Sequence, residues 1–368
     1  MGEKIRVGVL FGGRSCEHEV SVTSARSVLE AIDRDRYEVT MVGISKQGHW
    51  LVAGDAARLL AQGVVEGEDL LPVALDYAGD GRLQARSGVA PAGMDPRPLD
   101  VVFPILHGPY GEDGTVQGLL ELAGVAYVGA GVLGSAVGMD KELMKRVFRA
   151  EGLPQVDYAV VLRSRWQREP AAVQQEIELH FAYPLFIKPA NLGSSVGISK
   201  AHDGRELRQS MDQAAGFDRK IVVEAAALDC REIECAILGN EEPQASVLGE
   251  VVPGNEFYDY DAKYIDDNSQ LIIPARLPPA TTAQVQELAV RAFQAVDAAG
   301  LARVDFFVGA QDERVYVNEI NTLPGFTPIS MYPKLWQASG IGYGELIDRL
   351  IQLGLERHRD KQQTRAAL

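Results

Sequence analysis

Cysteine is scarce in this chain, with three among 368 residues, and tryptophan is equally rare. Cys16, Cys230 and Cys235 are odd in number, scattered and without metal-ligand spacing. Neither a disulfide framework nor a structural zinc site is therefore expected, and a reducing, cytoplasmic setting fits best. No apolar run approaches the roughly 20 residues that span a bilayer. No charged start leads into an apolar secretory segment, and Arg6 stands where a myristoylation signal places Ser or Thr. Export and membrane anchoring are both unexpected. Positive charge is also short: 36 Lys and Arg against 51 Asp and Glu give a formal net charge of -15. Such a field repels phosphate backbones and anionic lipid, so no nucleic-acid or membrane partner is expected. Solenoid repeats and low-complexity tracts are missing as well. What remains is 46% hydrophobic and 24% charged residues, an ordinary globular composition at a length of two to three domains.

Hydrophobic periodicity organises the chain into three units, 1–129, 130–223 and 224–368. Residues 5–11 form a β-branched apolar run that ends in Gly12-Gly13, followed by Val22, Ala25, Val28, Leu29 and Ile32 at helical spacing. Strand signals at 37–45, 99–106 and 125–128 and a helix over 115–123 continue the alternation, which predicts a mostly parallel sheet covered by helices. Residues 63–98, rich in Gly, Pro, Asp and Arg, read as a peripheral insertion without chemistry. The second unit reads as a helix over 139–151, a strand over 156–162, a helix over 171–181 and a strand over 184–189. The third carries strands at 221–224, 232–238 and 244–252, a helix over 281–299 and a hairpin. It is expected to be antiparallel with its helices on one side. The last residues, 356–368, read as a charged helical tail. The predicted fold class is thus α/β combined with α+β, opening with a Rossmann-like parallel-sheet unit.

The hairpin is the most informative segment. Alternation puts Arg303 and Asp305 on one face of the first strand, and Glu319 and Asn321 on one face of the second. An even register, such as Asp305 opposite Glu319, makes these the same face. Two carboxylates and an amide oxygen suit a hard cation such as Mg²⁺. The alternative is a solvated polar face, but facing acids repel unless a cation bridges them, which favours the metal. Residues 191–197, Asn-Leu-Gly-Ser-Ser-Val-Gly, follow a strand that ends in Lys188-Pro189. They are either a flexible turn or a loop that folds backbone N–H groups over phosphates.

Glycine-rich turns close the strands of the first unit. Glu17 opens a helix at a strand's carboxyl end, where open α/β sheets bind ligands, and is either a partner for a substrate amine or a complement to the helix dipole. Cys16 beside it has no neighbouring base and reads as a buried small residue. His107 sits at another strand tip, with a structural role and a functional one both open. Gly129-Ala-Gly131-Val-Leu-Gly134 matches a dinucleotide fingerprint, which would make a nicotinamide dehydrogenase. The acid that fingerprint needs about 20 residues on is misplaced, so the run reads as a hinge. Residues 258–264 and 321–331 read as functional loops.

Taken in order, GGRSCEHEVS, LHGPYGEDGTVQG, MDK, FIKPANLGSSVG, REIE, EFYDYDAKY, ARVDFF, NEINTLPGFT and ISMYPKLW closely resemble the ATP-grasp ligases, and within them the D-alanine–D-alanine ligase family. The resemblance spans residues 12–336. It implies a three-domain ATP-grasp architecture and the ATP-dependent joining of two D-alanine molecules, through an acyl phosphate, for peptidoglycan precursors. It further implies Asp305, Glu319 and Asn321 as ligands of two Mg²⁺ ions, with Mn²⁺ an alternative, and Lys141 and Lys188 as phosphate contacts. Arg303 would stabilise the transferred group. Glu17, Ser194 and Tyr264 would form a triad over the first substrate, Ser330 and Met331 would line the second substrate's site, and His107 would assist positioning or proton transfer. Ser195, Glu224, Glu232 and Lys263 would contact the nucleotide, and a homodimer is expected. A nucleotide-binding scaffold without turnover is the alternative, against which the complete set of acidic and basic residues argues.

Overall fold

The computed structural model describes residues 3–53, 60, 63–67, 70–76, 81–86, 97–193, 196–252 and 270–363. Strands β1 (Ile5–Gly12), β2 (Tyr37–Ile44), β3 (Trp50–Val52), β4 (Leu71–Leu75), β5 (Leu83–Ala85), β6 (Val101–Ile105) and β7 (Ala126–Tyr127) build a seven-stranded sheet in the order β5-β4-β3-β2-β1-β6-β7. Its centre is parallel, with β1 between β2 and β6. The chain therefore leaves β1 towards one edge and returns on the other side, creating a switch point at the carboxyl ends of β1 and β6. The stretch read as a peripheral insertion holds β4 and β5, which pair antiparallel and extend one edge of the sheet.

Alternation sorts β1 as its sequence dictates. Val7, Val9 and Phe11 pack under helix α1 (His18–Ala31), while Leu10 joins the core beneath helix α2 (Thr115–Leu122). Helix α3 (Val132–Met139) and helix α4 (Lys141–Ala150) occupy the stretch expected to be a glycine hinge followed by one helix over 139–151. Asp140 separates them: its backbone is extended, ψ 101°, and its carboxylate caps α4 by accepting from Leu143 N at 3.1 Å.

A second sheet, order β10-β9-β11-β8, contains β8 (Tyr158–Leu162), β9 (Leu185–Pro189), β10 (Ser199–Ala201) and β11 (Lys220–Ala225). Helices α5 (Arg163–Arg168), α6 (Pro170–His180) and α7 (Gly204–Phe217) accompany it, and residues from all three share its core. Strand β10 and helices α5 and α7 were not anticipated. For α7 the signals exist in Asp203, whose carboxylate accepts from Arg205 N and Glu206 N, and in Leu207, Met211 and Ala214 at helical spacing.

The third sheet is antiparallel, order β14-β13-β12-β15-β16, from β12 (Cys230–Gly239), β13 (Gln244–Val252), β14 (Gln270–Ile272), β15 (Gly300–Gly309) and β16 (Val315–Asn321). Helix α8 (Pro279–Ala295), expected over 281–299, covers one face together with Met144 and Phe148 of α4. Helices α9 (Met331–Ala338) and α10 (Tyr343–Gln362) pack on the other face, against Ala236 and Leu238. The expectation of helices on one side only is thus corrected. Helix α10 also buries Leu346, Ile347, Leu350 and Ile351 in the core that contains β1 and α1, fastening the last sheet to the first. Among the described residues no helix is long and apolar enough to cross a membrane, and the three cysteines are free.

Candidate active site

Strand β15 presents Val304, Phe306 and Val308 to the core under α8, which leaves Arg303 and Asp305 on the opposite face. Pairing sets Asp305 opposite Glu319 and Arg303 opposite Asn321, the even register that brings both sets of side chains to one face. The register shifts immediately after Asp305, where Asn318 is the unpaired residue. This bulge lets both Val317 and Ile320 enter the core while Glu319 stays on the face of Arg303 and Asp305; bulges commonly re-aim a side chain in this way. On the neighbouring strand Glu234 pairs with Asp305. Three carboxylates, Glu234, Asp305 and Glu319, thus lie in one row across three strands.

Like charges so arranged need compensation. Arg303 grips Asp305 with two parallel hydrogen bonds, Nε to Oδ1 at 2.7 Å and a terminal nitrogen to Oδ2 at 2.6 Å, and its Nε lies 3.0 Å from Glu234 Oε2. Burial disfavours the Arg303 charge, but Asp305 and Glu234 more than offset this and hold the guanidinium firmly protonated. Glu319 Oε2 lies 3.6 Å from Lys141 Nζ. Lys141 is the first residue of α4; its Nζ donates to Leu192 O at 2.8 Å and its backbone N to Ala190 O at 2.9 Å. The helix start is thereby fixed against the chain that follows β9.

A second charged group lies between α4 and the four-stranded sheet. Glu224, on β11, is almost fully buried, with Lys188 Nζ at 2.6 Å from one carboxylate oxygen and Lys145 Nζ at 3.1 Å from the other. Burial opposes its charge, yet the two ammonium groups dominate and hold its pKa down at about 2. Glu232 lies on β12, opposite Phe307 and Val251, and adds to the field at Lys188.

At the switch point of the first sheet, Glu17 is the residue before α1 and is buried. His107 follows β6 by two residues. Its Nδ1 donates to Leu323 O at 3.1 Å, so this histidine bridges the first sheet to the chain leaving β16, and its buried Nε2 has no hydrogen-bond partner among the described residues. Glu112 folds back so that Oε1 accepts from Gly108 N at 2.7 Å. Burial first, then the Glu17 charge, push its carboxyl up to about 8. A Cβ placed on Gly193 would lie 3.4 Å from Glu112 Oε1 and 3.5 Å from Glu17 Oε2, so the glycine permits the loop after β9 to approach both acids.

The structure thus brings together Arg303, Asp305, Glu319 and Asn321, ties Lys141 to them, and joins His107 to the same end of the molecule through Leu323. Glu319 contributes to the electrostatic environment of Glu112, Lys145, Lys188 and Arg303 alike, which makes it the hub of the site. Ser330 precedes α9, its Oγ accepting from Thr327 N at 3.1 Å and lying 2.8 Å from Thr327 Oγ1. Met331 is mostly buried in the core, beside Gly249. Ser194, Ser195, Lys263 and Tyr264 lie outside the described residues. Three residues escaped the sequence reading: Lys145, Glu234 and Glu112. The spacing held a signal for the first two, since Lys145 is one helical turn from Lys141 and Glu234 is two residues from Glu232.

The donor set on the hairpin is all oxygen, the chemistry Mg²⁺ accepts. Among the described residues no three acidic, histidine or cysteine side chains converge into a ready cage. Mg²⁺ is usually held by one or two carboxylates completed by substrate phosphates, so Asp305, Glu319 and Asn321 fit a cation that arrives with a polyphosphate.

A mixed α/β chain with these acids and lysines falls among the amino-acid ligases of known structure. It matches the D-alanine-D-alanine ligase of Coxiella burnetii with a TM-score of 0.83 at 35% identity, covering 98% of this chain and 97% of that one. The VanG D-Ala:D-Ser ligase of Enterococcus faecalis matches with a TM-score of 0.85 at 32% identity, covering 96% and 100%. Residues 6–130 match the family model for the D-ala D-ala ligase N-terminus, and residues 147–352 that for its C-terminus. A D-alanine--D-alanine ligase of Heliobacterium modesticaldum is 51% identical over 359 residues, 98% of this chain and 97% of that one. The chain belongs to the D-alanine–D-alanine ligase family.

Proposed function

We propose that this enzyme joins two D-alanine molecules for cell-wall synthesis, driven by ATP, on a three-unit ATP-grasp framework divided at about residues 129 and 223. The carboxylate of the first D-alanine attacks the γ-phosphorus of ATP; an oxygen–phosphorus bond forms, the bond to the bridging oxygen breaks, and ADP departs. The amine of the second D-alanine then attacks the carbonyl carbon of the acyl phosphate. A carbon–nitrogen bond forms, phosphate leaves, and the amine's proton passes to solvent or a side chain.

Both steps crowd negative charge onto one small region. Lys141 and Lys188 would offset it on the phosphates, and Arg303 on the transferring group and the tetrahedral oxyanion. Asp305, Glu319 and Asn321 would hold two Mg²⁺ ions, which when bound neutralise phosphate charge and orient the chain of phosphates. Glu17 suits the ammonium of the first D-alanine, and Ser330, with Met331 behind it, the carboxylate of the second. His107, whose Nε2 has no hydrogen-bond partner among the described residues, suits positioning or proton transfer. Ser194 and Tyr264 would complete the arrangement around the first substrate with Glu17; Ser195, Glu232 and Lys263 would contact the nucleotide, and Glu224 would act through the lysines it pairs with. A homodimer is the assembly that the family resemblance suggests.

The observation that carries this reading is the convergence on Glu319 of the opposed Asp305, the Arg303 clamp and Lys141. The test is product identification with D-alanine, D-serine and D-lactate offered side by side with ATP and Mg²⁺. D-alanyl-D-alanine should dominate, with one ADP and one phosphate formed per dipeptide. A mixed product with D-serine or D-lactate in excess would overturn the substrate assignment.

A further inference from the structure

Lys145 has no part in the activity as described so far, yet it is one of the most deeply buried charged side chains in the molecule, 1% exposed. Burying an ammonium is costly unless a partner charge offsets the lost hydration. It projects from α4 one turn beyond Lys141, with Glu224 Oε1 at 3.1 Å and the ring of Tyr158 5.5 Å from its Nζ. The other oxygen of the same carboxylate is 2.6 Å from Lys188. One carboxylate therefore serves two ammonium groups inside a pocket nearly closed to water.

The consequence is arithmetic. A Glu224–Lys188 pair alone carries no net charge, so it attracts a phosphate only as a dipole, far more weakly than an uncompensated cation does. Adding Lys145 leaves the trio with one positive charge in excess, in a setting where water screens little. Burial and the neighbouring Lys188 press the Lys145 ammonium towards its neutral form, while Glu224 opposes them. Glu319 and Glu232 act on Lys188 from the five-stranded sheet; an arriving polyphosphate adds negative charge and stabilises both ammonium groups further.

We infer that Lys145 is a positioning residue for nucleotide binding: by taking up the charge of Glu224, it leaves Lys188 as an uncompensated cation directed to a polyphosphate. This rests on the ATP reading above, and it assigns to Glu224 the part of a shared counter-ion in place of a direct contact to the nucleotide base.

Charge compensation makes a prediction that packing does not. Lys145→Met keeps the length and shape of the side chain and removes its charge; the KM for ATP should rise about tenfold while the KM for D-alanine stays within twofold. The double variant Lys145→Met/Glu224→Gln removes one charge of each sign and restores the wild-type balance, so ATP affinity should return to within about threefold of wild type. Lys145→Arg should resemble wild type. Direct ATP binding by calorimetry, with thermal melting to verify folding, accompanies the kinetics. A folded Lys145→Met that binds ATP as wild type does would overturn the proposal, as would a double variant that binds no better than the single. Should Lys145→Met fail to fold, the folded double variant decides alone: weak ATP binding there contradicts the proposal. Wild-type protein that binds no ATP would instead overturn the ATP reading itself.

Discussion

Carboxylates at the two ends of the site are held in opposite ways. On the five-stranded sheet, each acid in the row has a cation nearby: Arg303 at 2.6 Å from Asp305 and 3.0 Å from Glu234, and Lys141 at 3.6 Å from Glu319. At the switch point of the seven-stranded sheet, Glu112 makes no ion pair among the described residues, and its neighbour is another acid, Glu17. The first arrangement keeps charge permanently in place, as the proposed handling of a phosphoryl group and its counter-ions would require. The second lets protonation follow what occupies the site, because burial beside another acid outweighs the single hydrogen bond from Gly108 N and favours the neutral form of Glu112. On the reading proposed above the two suit different tasks: fixed charge where phosphate moves, and adjustable charge where the first substrate's ammonium group is received.

The largest expected effect breaks the first arrangement outright. Arg303→Met should lower turnover by roughly 1000-fold, the scale on which an arginine stabilises phosphoryl transfer. It should also destabilise the fold by about 3 kcal/mol, because buried Glu234 and partly buried Asp305 would be left without their cation. Phosphate release and urea denaturation read the two losses separately; near wild-type turnover would remove Arg303 from the chemistry. Next comes Asp305→Asn, which keeps shape but loses a charge, and should cost more than about 100-fold in Mg²⁺-dependent turnover while melting near wild type. Preserved activity would show that the hairpin acids do not serve the cation.

Glu112→Gln sharpens the other half of the comparison. In the folded protein Glu112 titrates at about 8, against about 4.5 for an ordinary glutamate. Between those values the folded state binds the extra proton, so wild-type stability falls as pH rises, by up to about 1.4 kcal/mol per unit at full linkage, and levels off above pH 8. Glutamine removes this slope, so the variant should gain stability relative to wild type from pH 5 to pH 8 in denaturant titrations. Parallel curves would mean Glu112 is ionised throughout. Cys16→Ala should have the smallest effect. Cys16 is exposed and not buried as the sequence suggests. Partial desolvation of its sulfur and then the Glu17 charge raise the thiol's pKa, which makes it a poor nucleophile, so turnover should stay within twofold; a large loss would give the thiol a role.

Much of this was legible from local pattern. Strand β1 and the glycines after it, the hairpin's charged face and its even register all follow from alternation, because one face of each strand must enter a core. Where the pattern failed, the cause was a contact distant in sequence. Asn318 sits within VYVNEIN, where Val317 and Ile320 are three residues apart and out of phase for a simple strand; only the pairing with β15 shows that a bulge resolves this, burying both while Glu319 stays with Asp305. The helix over 139–151 is broken at Asp140, where Lys220 of β11 meets the carboxylate at 2.5 Å and α4 starts anew. Lys145 was passed over because a lysine on a helix is ordinarily solvated, and only the fold shows Glu224 waiting beneath it. Glu112 lay in plain sight within a recognised segment; its environment comes from Glu17, 95 residues earlier, and from the loop at Gly193.

The central claim is that a substrate carboxylate attacks the γ-phosphorus of ATP over the face formed by Arg303, Asp305 and Glu319. D-alanine labelled with oxygen-18 in its carboxylate tests it directly, with the released phosphate analysed by mass spectrometry. One label per phosphate is predicted, carried over when the acyl phosphate is cleaved by the second amine. Unlabelled phosphate accompanying dipeptide formation would contradict the account.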